Sequence, residues 1–339
     1  MAQLRLEAML SEYCEKNRLS GVVRVTQKDQ ILLDAGFGYA DHEKKLPFAK
    51  ESVFTLYSMS KPFCAIGLLQ LVDQGLVDLD AHPGKYLPEA AGFDSRVTIR
   101  QLLQHTSGVP DFAPDTGYLT SCGDVRSDLQ KLSAFPAHFE PGAGDRYSNI
   151  GYYISALVIE NVTGLSYPEY MEKQVFTPLG IHAKVDHPGL EISNRVQGYR
   201  LDEKNQVTPC EKSYDWMLGG GDMIGTVDDV YALNRAVKHR LLLKPETWEA
   251  ALTPSPINQK GFGCTVTQWH GKFRITHNGG HRGFRTLHVH LPEDDFDVIF
   301  LSNCGYCNPA RKDISEMVYS TFYTPTAPEE QPKMDGGYV

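Results

Sequence analysis

Strand-like runs stand near both ends of the chain, rich in β-branched or aromatic residues near the N-terminus and with a period of two from residue 261, and they enclose a long middle with helical patterns. Near the N-terminus, residues 21–27 and 31–39 flank the turn Lys28-Asp29-Gln30, which is typical of a β-hairpin. The pattern predicts strands at both ends of the chain that enclose a helical, loop-rich middle. The other predicted strands lie at residues 261–268, 272–277, 284–291 and 297–302.

The helical segments are predicted from apolar residues at spacings of three and four. Residues 1–17 form an amphipathic pattern, and Thr226 is a good N-cap for a helix over residues 226–239. Pro309 suits the first turn of a closing helix that ends at residue 322, and the remainder of the chain is predicted to be a loose tail. Further helices are predicted at residues 97–105, 151–163 and 167–175.

Composition excludes several classes of protein. The net charge is -9 and no basic stripe is present, which argues against nucleic acid as a partner. No run of about eighteen apolar residues indicates a membrane span, and residues 1–19 lack the apolar core of a signal peptide. The seven cysteines are an odd number and are scattered, which favours a reducing compartment. We therefore expect a cytoplasmic protein with no membrane partner.

Two patterns resemble redox or metal motifs, but the further residues that such motifs require are absent from the sequence around them. Cys304 and Cys307 have redox spacing, but no second pair and no thioredoxin-like pattern accompany them. His288 and His290 would lie on one strand face, but no carboxylate or cysteine spacing accompanies them. We expect neither a metal nor a cofactor, and we leave the role of the two cysteines open.

A serine and a lysine stand three residues apart at the start of an apolar helix. If this helix begins near Ser58, the side chains of Ser58 and Lys61 lie on one face and touch. Phe63, Ile66, Leu69 and Val72 then form one buried stripe, and Gly75 is a plausible stop. A partly desolvated lysine amine has a lowered pKa and can help to take the proton of a serine nucleophile. The same spacing also occurs by chance in many helices.

A second cluster, Tyr147-Ser148-Asn149, stands in a loop just before a helix. A phenol near an amine can act as a base toward Ser58, because a cation favours the phenolate. Asn149 offers both a donor and an acceptor, which can orient Lys61 together with a substrate amide. The alternative is that Tyr147 only caps the helix and that Asn149 is a turn residue.

A third cluster, His277-Asn278-Gly279-Gly280, stands at the end of the strand predicted from residue 272. The glycines let a substrate backbone lie against the strand edge, where an N–H group can point at a developing oxyanion. His277 would bring a proton donor. The alternative is a histidine that serves only the turn.

In this order, the three clusters resemble the penicillin-recognising serine hydrolase superfamily, in the branch of class C β-lactamases, DD-peptidases, D-aminopeptidases and β-lactamase-like carboxylesterases. The likeness extends from about residue 21 to residue 304. It includes residues 102–111 (LLQHTSGVPD), 141–152, 178–181 (PLGI), 219–221 (GGG), 226–229 (TVDD) and 277–284.

The resemblance implies a β-lactamase/transpeptidase-like α+β fold in two parts: an antiparallel sheet built from both chain ends and flanked by helices, plus a mainly helical domain. Residues 1–57 and 255–339 would form the sheet domain, residues 58–254 the mainly helical domain, and the active site would lie in the cleft between them. The first family motif falls on Ser58 and Lys61. The second motif falls on Tyr147 and Asn149, and the third on His277 and Gly279. The oxyanion hole would be the backbone N–H groups of Ser58 and Gly280.

One departure from class C β-lactamases is His277, where those enzymes have lysine. A histidine is mostly neutral at pH 7, so its pull on a β-lactam carboxylate should be weaker. The resemblance therefore favours a cytoplasmic serine hydrolase that cleaves a small ester, a D-amino-acid amide or a peptide through an acyl-enzyme on Ser58. A β-lactamase or DD-carboxypeptidase is the alternative, and a non-catalytic binding protein on the same fold ranks behind both.

The residues after the third motif bear on substrate choice. His281 and Arg282 bring two cationic groups to the expected cleft edge, beside Gly279. If Arg282 points inward, its forked donors suit a substrate carboxylate. The alternative is that both side chains are solvated loop residues. The acyl group, the leaving group and the oligomeric state stay open.

Overall fold

The computed structural model describes residues 1–111, 125–211, 218–269 and 271–323. Its main sheet has six antiparallel strands in the order β2–β1–β11–β10–β9–β8, so strands from both chain ends lie side by side. This confirms the predicted sheet. The strands are β1 (Gly21–Gln27), β2 (Gln30–Phe37), β3 (Phe54–Thr55), β4 (Lys184–Val185), β5 (Tyr199–Leu201), β6 (Val207–Pro209), β7 (Met223–Gly225), β8 (Thr265–Trp269), β9 (Lys272–His281), β10 (Phe284–Leu291) and β11 (Phe296–Ser302).

Helices cover both faces of the main sheet and fill the middle of the chain. They are α1 (Ala2–Lys16), α2 (Lys61–Asp73), α3 (Ile99–Leu103), α4 (Val125–Leu132), α5 (Ile150–Thr163), α6 (Tyr167–Met171), α7 (Thr177–Leu179), α8 (Val227–Lys238), α9 (Pro245–Leu252) and α10 (Ala310–Phe322). A π-helical turn over residues 172–176 joins α6 to α7. None of the helices in these described ranges is long and apolar enough to cross a membrane.

The two terminal helices, α1 and α10, pack on the outer face of the sheet. Leu6 and Leu10 of α1 and Ile314 of α10 are fully buried in one apolar cluster with the sheet residues of that face. The Tyr13 hydroxyl donates a hydrogen bond of 2.6 Å to Asp313 and so ties the two helices together. Residues at both ends of the chain therefore form one layer.

The inner face of the sheet packs against α8 and against the larger core of the middle region. Thr226 caps α8 as predicted, with its hydroxyl accepting from the Asp229 N–H. On the buried side of α8, Asn234 donates to Asp297 of β11 at 2.9 Å and accepts from His288 of β10 at 3.0 Å. A polar network therefore holds α8 on the sheet.

The middle of the chain centres on α2 and α5, which pack against each other. Helix α2 is buried around most of its circumference, because Leu68 and Leu71 are as buried as Phe63 and Leu69. The prediction of a single buried stripe was therefore too narrow. This segment lies in the core, where an all-round apolar helix is expected.

Three features differ from the sequence predictions. The middle region contains a three-stranded sheet, β3–β7–β4, and the hairpin β5–β6, which were not predicted. The strand predicted from residue 261 begins only at Thr265, because residues 261–264 turn tightly beside α9 and α2. The tail predicted beyond residue 322 lies, from residue 324, outside the described residues.

Candidate active site

Ser58 lies in a short 3-10 turn, Tyr57–Ser60, that leads directly into α2. The prediction that Ser58 begins the α-helix is therefore off by one turn. Tyr57 has a φ of 49°, in the left-handed region that costs energy for a bulky residue. The Ser60 hydroxyl donates to the Tyr57 carbonyl at 2.6 Å and accepts from the Met223 N–H at 2.9 Å. These bonds hold the turn in a conformation that local sequence would not choose.

Lys61 is fully buried, and its amine has a hydrogen-bond partner for each of its three protons. Lys61 Nζ donates to Ser58 Oγ at 3.2 Å, to Asn149 Oδ1 at 2.8 Å and to the Gly220 carbonyl at 2.5 Å. Burial lowers the pKa of Lys61 to about 7, against the opposing pull of Asp111 and other acidic groups. The amine is therefore partly neutral at physiological pH and can take up a proton.

Tyr147 lies on the other side of Ser58, just before α5. Its hydroxyl is hydrogen-bonded to Ser58 Oγ at 2.7 Å, and Lys61 Nζ lies 4.8 Å from the centre of its ring. His105 stacks on the same ring, with the ring centres 4.4 Å apart. A cation near the ring and a hydroxyl in contact with the serine suit a proton path that runs between Lys61 and Tyr147.

Asn149 is the residue before the first turn of α5, where backbone N–H groups lack helical partners. Its N–H donates to Asp111 Oδ2 at 2.7 Å, and its side-chain oxygen accepts from Lys61. Next to it, the Ser148 N–H donates to His105 Nδ1 at 3.2 Å. Asp111 and His105 therefore fix the loop that carries both Tyr147 and Asn149.

The last residues of β9 extend past the end of β8, because β8 pairs only with residues 272–276. Gly279 lies in this extension and packs on the turn that carries Ser58. A Cβ atom on Gly279 would lie 2.1 Å from the Leu56 carbonyl oxygen and 3.2 Å from the Ser58 nitrogen. Only glycine fits there, so the strand edge and the Ser58 amide lie side by side.

His277 stands on the same face of the sheet as Gly279, directly opposite His288 of β10. Burial, with the charge of Lys61 as the next cause, holds its pKa well below the usual value for histidine. Its Nδ1 lies 2.7 Å from the Asn278 carbonyl, which can only accept, so Nδ1 carries the proton. The neutral ring thus keeps Nε2 as an acceptor, whereas the sequence predicted a donor.

His281 ends β9 and Arg282 begins the turn to β10, and both side chains are exposed. Arg282 Nε donates to His281 Nε2 at 3.1 Å, and the His281 ring meets Tyr57 edge-on at 5.4 Å between ring centres. The turn is therefore linked to the residue next to Ser58. Arg282 stands at the solvent end of this contact.

Four residues of this cluster were not singled out from the sequence: His105, Asp111, Gly220 and Asp222. His105 stacks on Tyr147, Asp111 accepts the Asn149 N–H with its carboxylate, and Gly220 acts through its backbone carbonyl. These three residues do fall in the quoted stretches 102–111 and 219–221, which were the available signal. Among the described residues, no group of three or more His, Cys, Asp or Glu side chains could hold a metal ion.

An antiparallel sheet beside a helical region, with a serine, a buried lysine and a tyrosine in mutual contact, defines a serine hydrolase that uses an amine and a phenol around its nucleophile. The family model described as Beta-lactamase matches residues 6–317. The chain belongs to this family.

Named relatives agree with this assignment. Penicillin-binding protein 4* of Bacillus subtilis (strain 168) is 28% identical over 323 residues, which cover 88% of this chain and 71% of the relative. The structure of EstCE1, described as a hydrolase with promiscuous acyltransferase activity, has a TM-score of 0.81 at 21% identity, with 94% of this chain and 98% of that chain covered. D-amino acid amidase from Ochrobactrum anthropi SV3, complexed with D-phenylalanine, has a TM-score of 0.78 at 21% identity, with 94% and 97% covered. The two structural likenesses show the fold.

Proposed function

We propose that this protein hydrolyses a small ester or amide through an acyl-enzyme on Ser58. The observation that carries the proposal is the double contact of Ser58 Oγ, 2.7 Å from the Tyr147 hydroxyl and 3.2 Å from Lys61 Nζ. A serine hydroxyl is a weak nucleophile until a neighbouring base takes its proton. Both neighbours are of a type that can do so, and Lys61 is partly neutral near pH 7.

In the acylation step, Ser58 Oγ attacks the substrate carbonyl carbon while its proton passes to the Lys61–Tyr147 pair. The bond to the leaving group then breaks, and the same pair returns the proton to the leaving oxygen or nitrogen. In deacylation, water attacks the acyl carbon while its proton passes to the Lys61–Tyr147 pair. The bond between the acyl carbon and Ser58 Oγ then breaks, the pair returns the proton to Oγ, and the acid is released. The N–H groups of Ser58 and Gly280 would bind the oxyanion in both steps, and Asn149 would orient Lys61 and the substrate.

The substrate class follows from the charges at the cleft edge. A neutral His277 gives little pull on a β-lactam carboxylate, so we rank esters and D-amino-acid amides or peptides above β-lactams and DD-peptides. EstCE1, a hydrolase with promiscuous acyltransferase activity, and the D-amino acid amidase share this fold, which is compatible with esters and amides as substrates. Beside Gly279 and His281, Arg282 would donate hydrogen bonds to a substrate carboxylate, so substrates that carry a free carboxylate would be preferred.

We propose that the site lies in a cleft between a sheet domain of residues 1–57 and 255–339 and a helical domain of residues 58–254. The cluster combines side chains from the start of α2 and the start of α5 with the extended end of β9. We also propose a cytoplasmic location. Its support is that the six described cysteines are free thiols, as is usual in a reducing compartment.

The test is covalent labelling followed by peptide mapping. A fluorophosphonate should label Ser58 and leave Ser60 unlabelled, because the Ser60 hydroxyl is held by Tyr57 and Met223. The Ser58→Ala variant should take no label. A matched control is Ser315→Ala, which removes a hydroxyl bonded to its own helix on α10 and should label as the wild type does.

Intact-mass measurements then rank the substrates. We expect acyl adducts from p-nitrophenyl esters and D-amino-acid amides, and slower acylation by a cephalosporin. Faster acylation by the cephalosporin would favour the β-lactamase or DD-carboxypeptidase alternative. Label that persists on Ser58→Ala would contradict the proposal, and the absence of any adduct on the wild type would favour a binding protein.

A further inference from the structure

The turn behind Lys61 carries a carboxylate that the proposed proton path does not use. This turn, residues 219–222, presents the Gly220 carbonyl oxygen to Lys61 Nζ at 2.5 Å. At its end, Asp222 Oδ2 accepts a hydrogen bond of 2.8 Å from the Gly219 N–H. The side chain of Asp222 therefore closes the turn from which Lys61 takes one of its three acceptors.

The second oxygen of Asp222 is in an unusual position. Asp222 Oδ1 is shielded from solvent and has no hydrogen-bond partner in the described part of the chain. An ionised carboxylate with an unsatisfied buried oxygen is costly, unless it is protonated or faces a cation. The charge of Lys61 favours the ionised form of Asp222, and the charge of Asp222 favours the ammonium form of Lys61.

We propose that Asp222 is a positioning residue for Lys61, which fixes the Gly220 carbonyl against the amine and adds a negative charge to the surroundings of the amine. The catalytic role of Lys61 rests on the proposed function, whereas the hydrogen bonds that join Lys61 to Gly220 and Gly219 to Asp222 do not. Burial raises the pKa of Asp222 to about 7 and lowers that of Lys61 to about 7, and each charge favours the charged form of the other group.

Three other titratable groups interact with Asp222, namely Asp186, Cys64 and Tyr167. Asp186 donates its N–H to the Asp222 carbonyl at 2.6 Å, and its carboxylate is paired with Arg195. Burial raises the pKa of Cys64 to about 12 and that of Tyr167 well above its usual value, so both are neutral near pH 7. The negative charge of Asp186 adds to the burial effect on Asp222.

The other titratable groups near Lys61 are His105, His277, Asp111 and Tyr147. Burial and the charge of Lys61 hold the pKa of His105 and of His277 well below the usual value, so both rings are neutral near pH 7. Asp111, whose carboxylate accepts from the Asn149 N–H, also favours the charged form of Lys61. Tyr147 contacts Ser58 and faces Lys61 with its ring. Removal of the Asp222 charge should therefore lower the pKa of Lys61.

Two substitutions separate the two parts of the proposal. Asp222→Asn removes the charge but keeps an oxygen that can accept from the Gly219 N–H, whereas Asp222→Ala removes both. Asp202→Asn is the matched control, because Asp202 also closes a turn by accepting backbone N–H groups, at Lys204 and Gln206. The Asp202 turn is exposed and lies between β5 and β6.

The first readout is independent of turnover. It is the pH titration of the Lys61 ¹³Cε signal in enzyme labelled with ¹³C-lysine, with the signal assigned by its loss in Lys61→Met. We expect Asp222→Asn to lower the midpoint by at least about half a pH unit, because an opposite charge nearby raises the pKa of an amine. The acid limb of kcat/KM should move by the same amount, and Asp202→Asn should move neither.

The second readout is the rate. Asp222→Ala should lose at least about tenfold in kcat with KM within about twofold, because displacement of a catalytic group lowers the rate without weakening binding. Asp222→Asn should keep most of the rate at high pH. An unmoved Lys61 midpoint in Asp222→Asn would overturn the effect of the Asp222 charge on the amine, and equal kcat values for the Ala and Asn variants would overturn the positioning role. A shifted midpoint in an enzyme that acylates no substrate would contradict the proposed function alone.

Discussion

The two ends of the site differ in the burial of their side chains and in the hydrogen bonds that hold them. At the lysine end, Lys61 is fully buried and every proton of its amine has an acceptor. At the hairpin end, His281 and Arg282 are exposed and contact each other. Proton transfer needs one fixed geometry and a shifted pKa, whereas recognition of varied substrates needs neither. We therefore expect substitutions at the lysine end to change kcat and those at the hairpin end to change KM.

The largest effect should come from the lysine end. Lys61→Ala and Tyr147→Phe should each lose roughly 10² to 10⁴ in kcat with the fold intact, which is the usual contribution of a general base. The double variant should lose far less than the product of the two, because both groups contact Ser58 Oγ and act as a unit. Losses that multiply in steady-state kinetics would show that the two residues serve separate proton paths.

The next effect tests the glycines of β9, where the two ends of the site meet. Gly279→Ala should lose at least about 10² in kcat, because a displaced oxyanion donor costs that much and the new Cβ would lie 2.1 Å from the Leu56 carbonyl oxygen. Gly280→Ala is the control. Its Cβ meets the flexible Arg285 side chain at 3.0 Å and its N–H is kept, so most activity should remain. Thermal melting checks the fold, and equal activity of the two variants would contradict the close packing at Gly279.

A smaller, graded effect is expected from pH. Because burial lowers the pKa of Lys61 to about 7, the neutral amine is present above that pH and is lost as the pH falls through it. The rate constant kcat/KM should then fall about tenfold for each pH unit below about 7, since one proton inactivates the base. The profile of Arg282→Ala should have the same midpoint. A midpoint near the ordinary lysine value would mean that the amine is solvated during the reaction.

The smallest effect is expected at the exposed end. Arg282→Ala should raise KM severalfold for esters or amides that carry a free carboxylate, and should leave neutral esters unchanged, which is the result of lost uniform binding. Matched substrate pairs with and without the carboxylate provide the measurement. If the KM of acidic and of neutral substrates changes equally, or if neither KM changes, Arg282 is a solvated side chain that does not bind the substrate. The hairpin end would then have no part in substrate choice through Arg282.

Features that depend on neighbouring residues in the chain could be predicted from the sequence. Helix α8 was predicted within about a residue because its start is encoded locally, by Thr226 and the carboxylate of Asp229. Ser58, Lys61, Tyr147, Asn149 and Gly279 were proposed from motifs, and the structure brings these residues together. Local patterns and motifs therefore carried most of the fold and the first contacts of the site.

Features that depend on long-range contacts could not be predicted in this way. The strands β3, β7 and β4 have only two or three residues each, which is too short for a period of two to be visible. The 3-10 turn at Ser58 depends on the Met223 N–H, which is distant in sequence. Asp222 gave no signal, because its proposed role depends on the turn of residues 219–222 and on the shielding of its carboxylate rather than on a motif.

The position of β1 has a consequence for how the protein is made. Its two neighbours in the sheet are β2, which follows at once, and β11, whose residues 296–302 come near the end of the described chain. During synthesis the β1–β2 hairpin therefore has one unpaired edge until residues 296–302 have left the ribosome. An isolated hairpin is marginally stable in water. The middle region, which carries Ser58, Lys61 and Tyr147, is synthesised before β9, so Gly279 can join these residues only after residues 272–281 have been made.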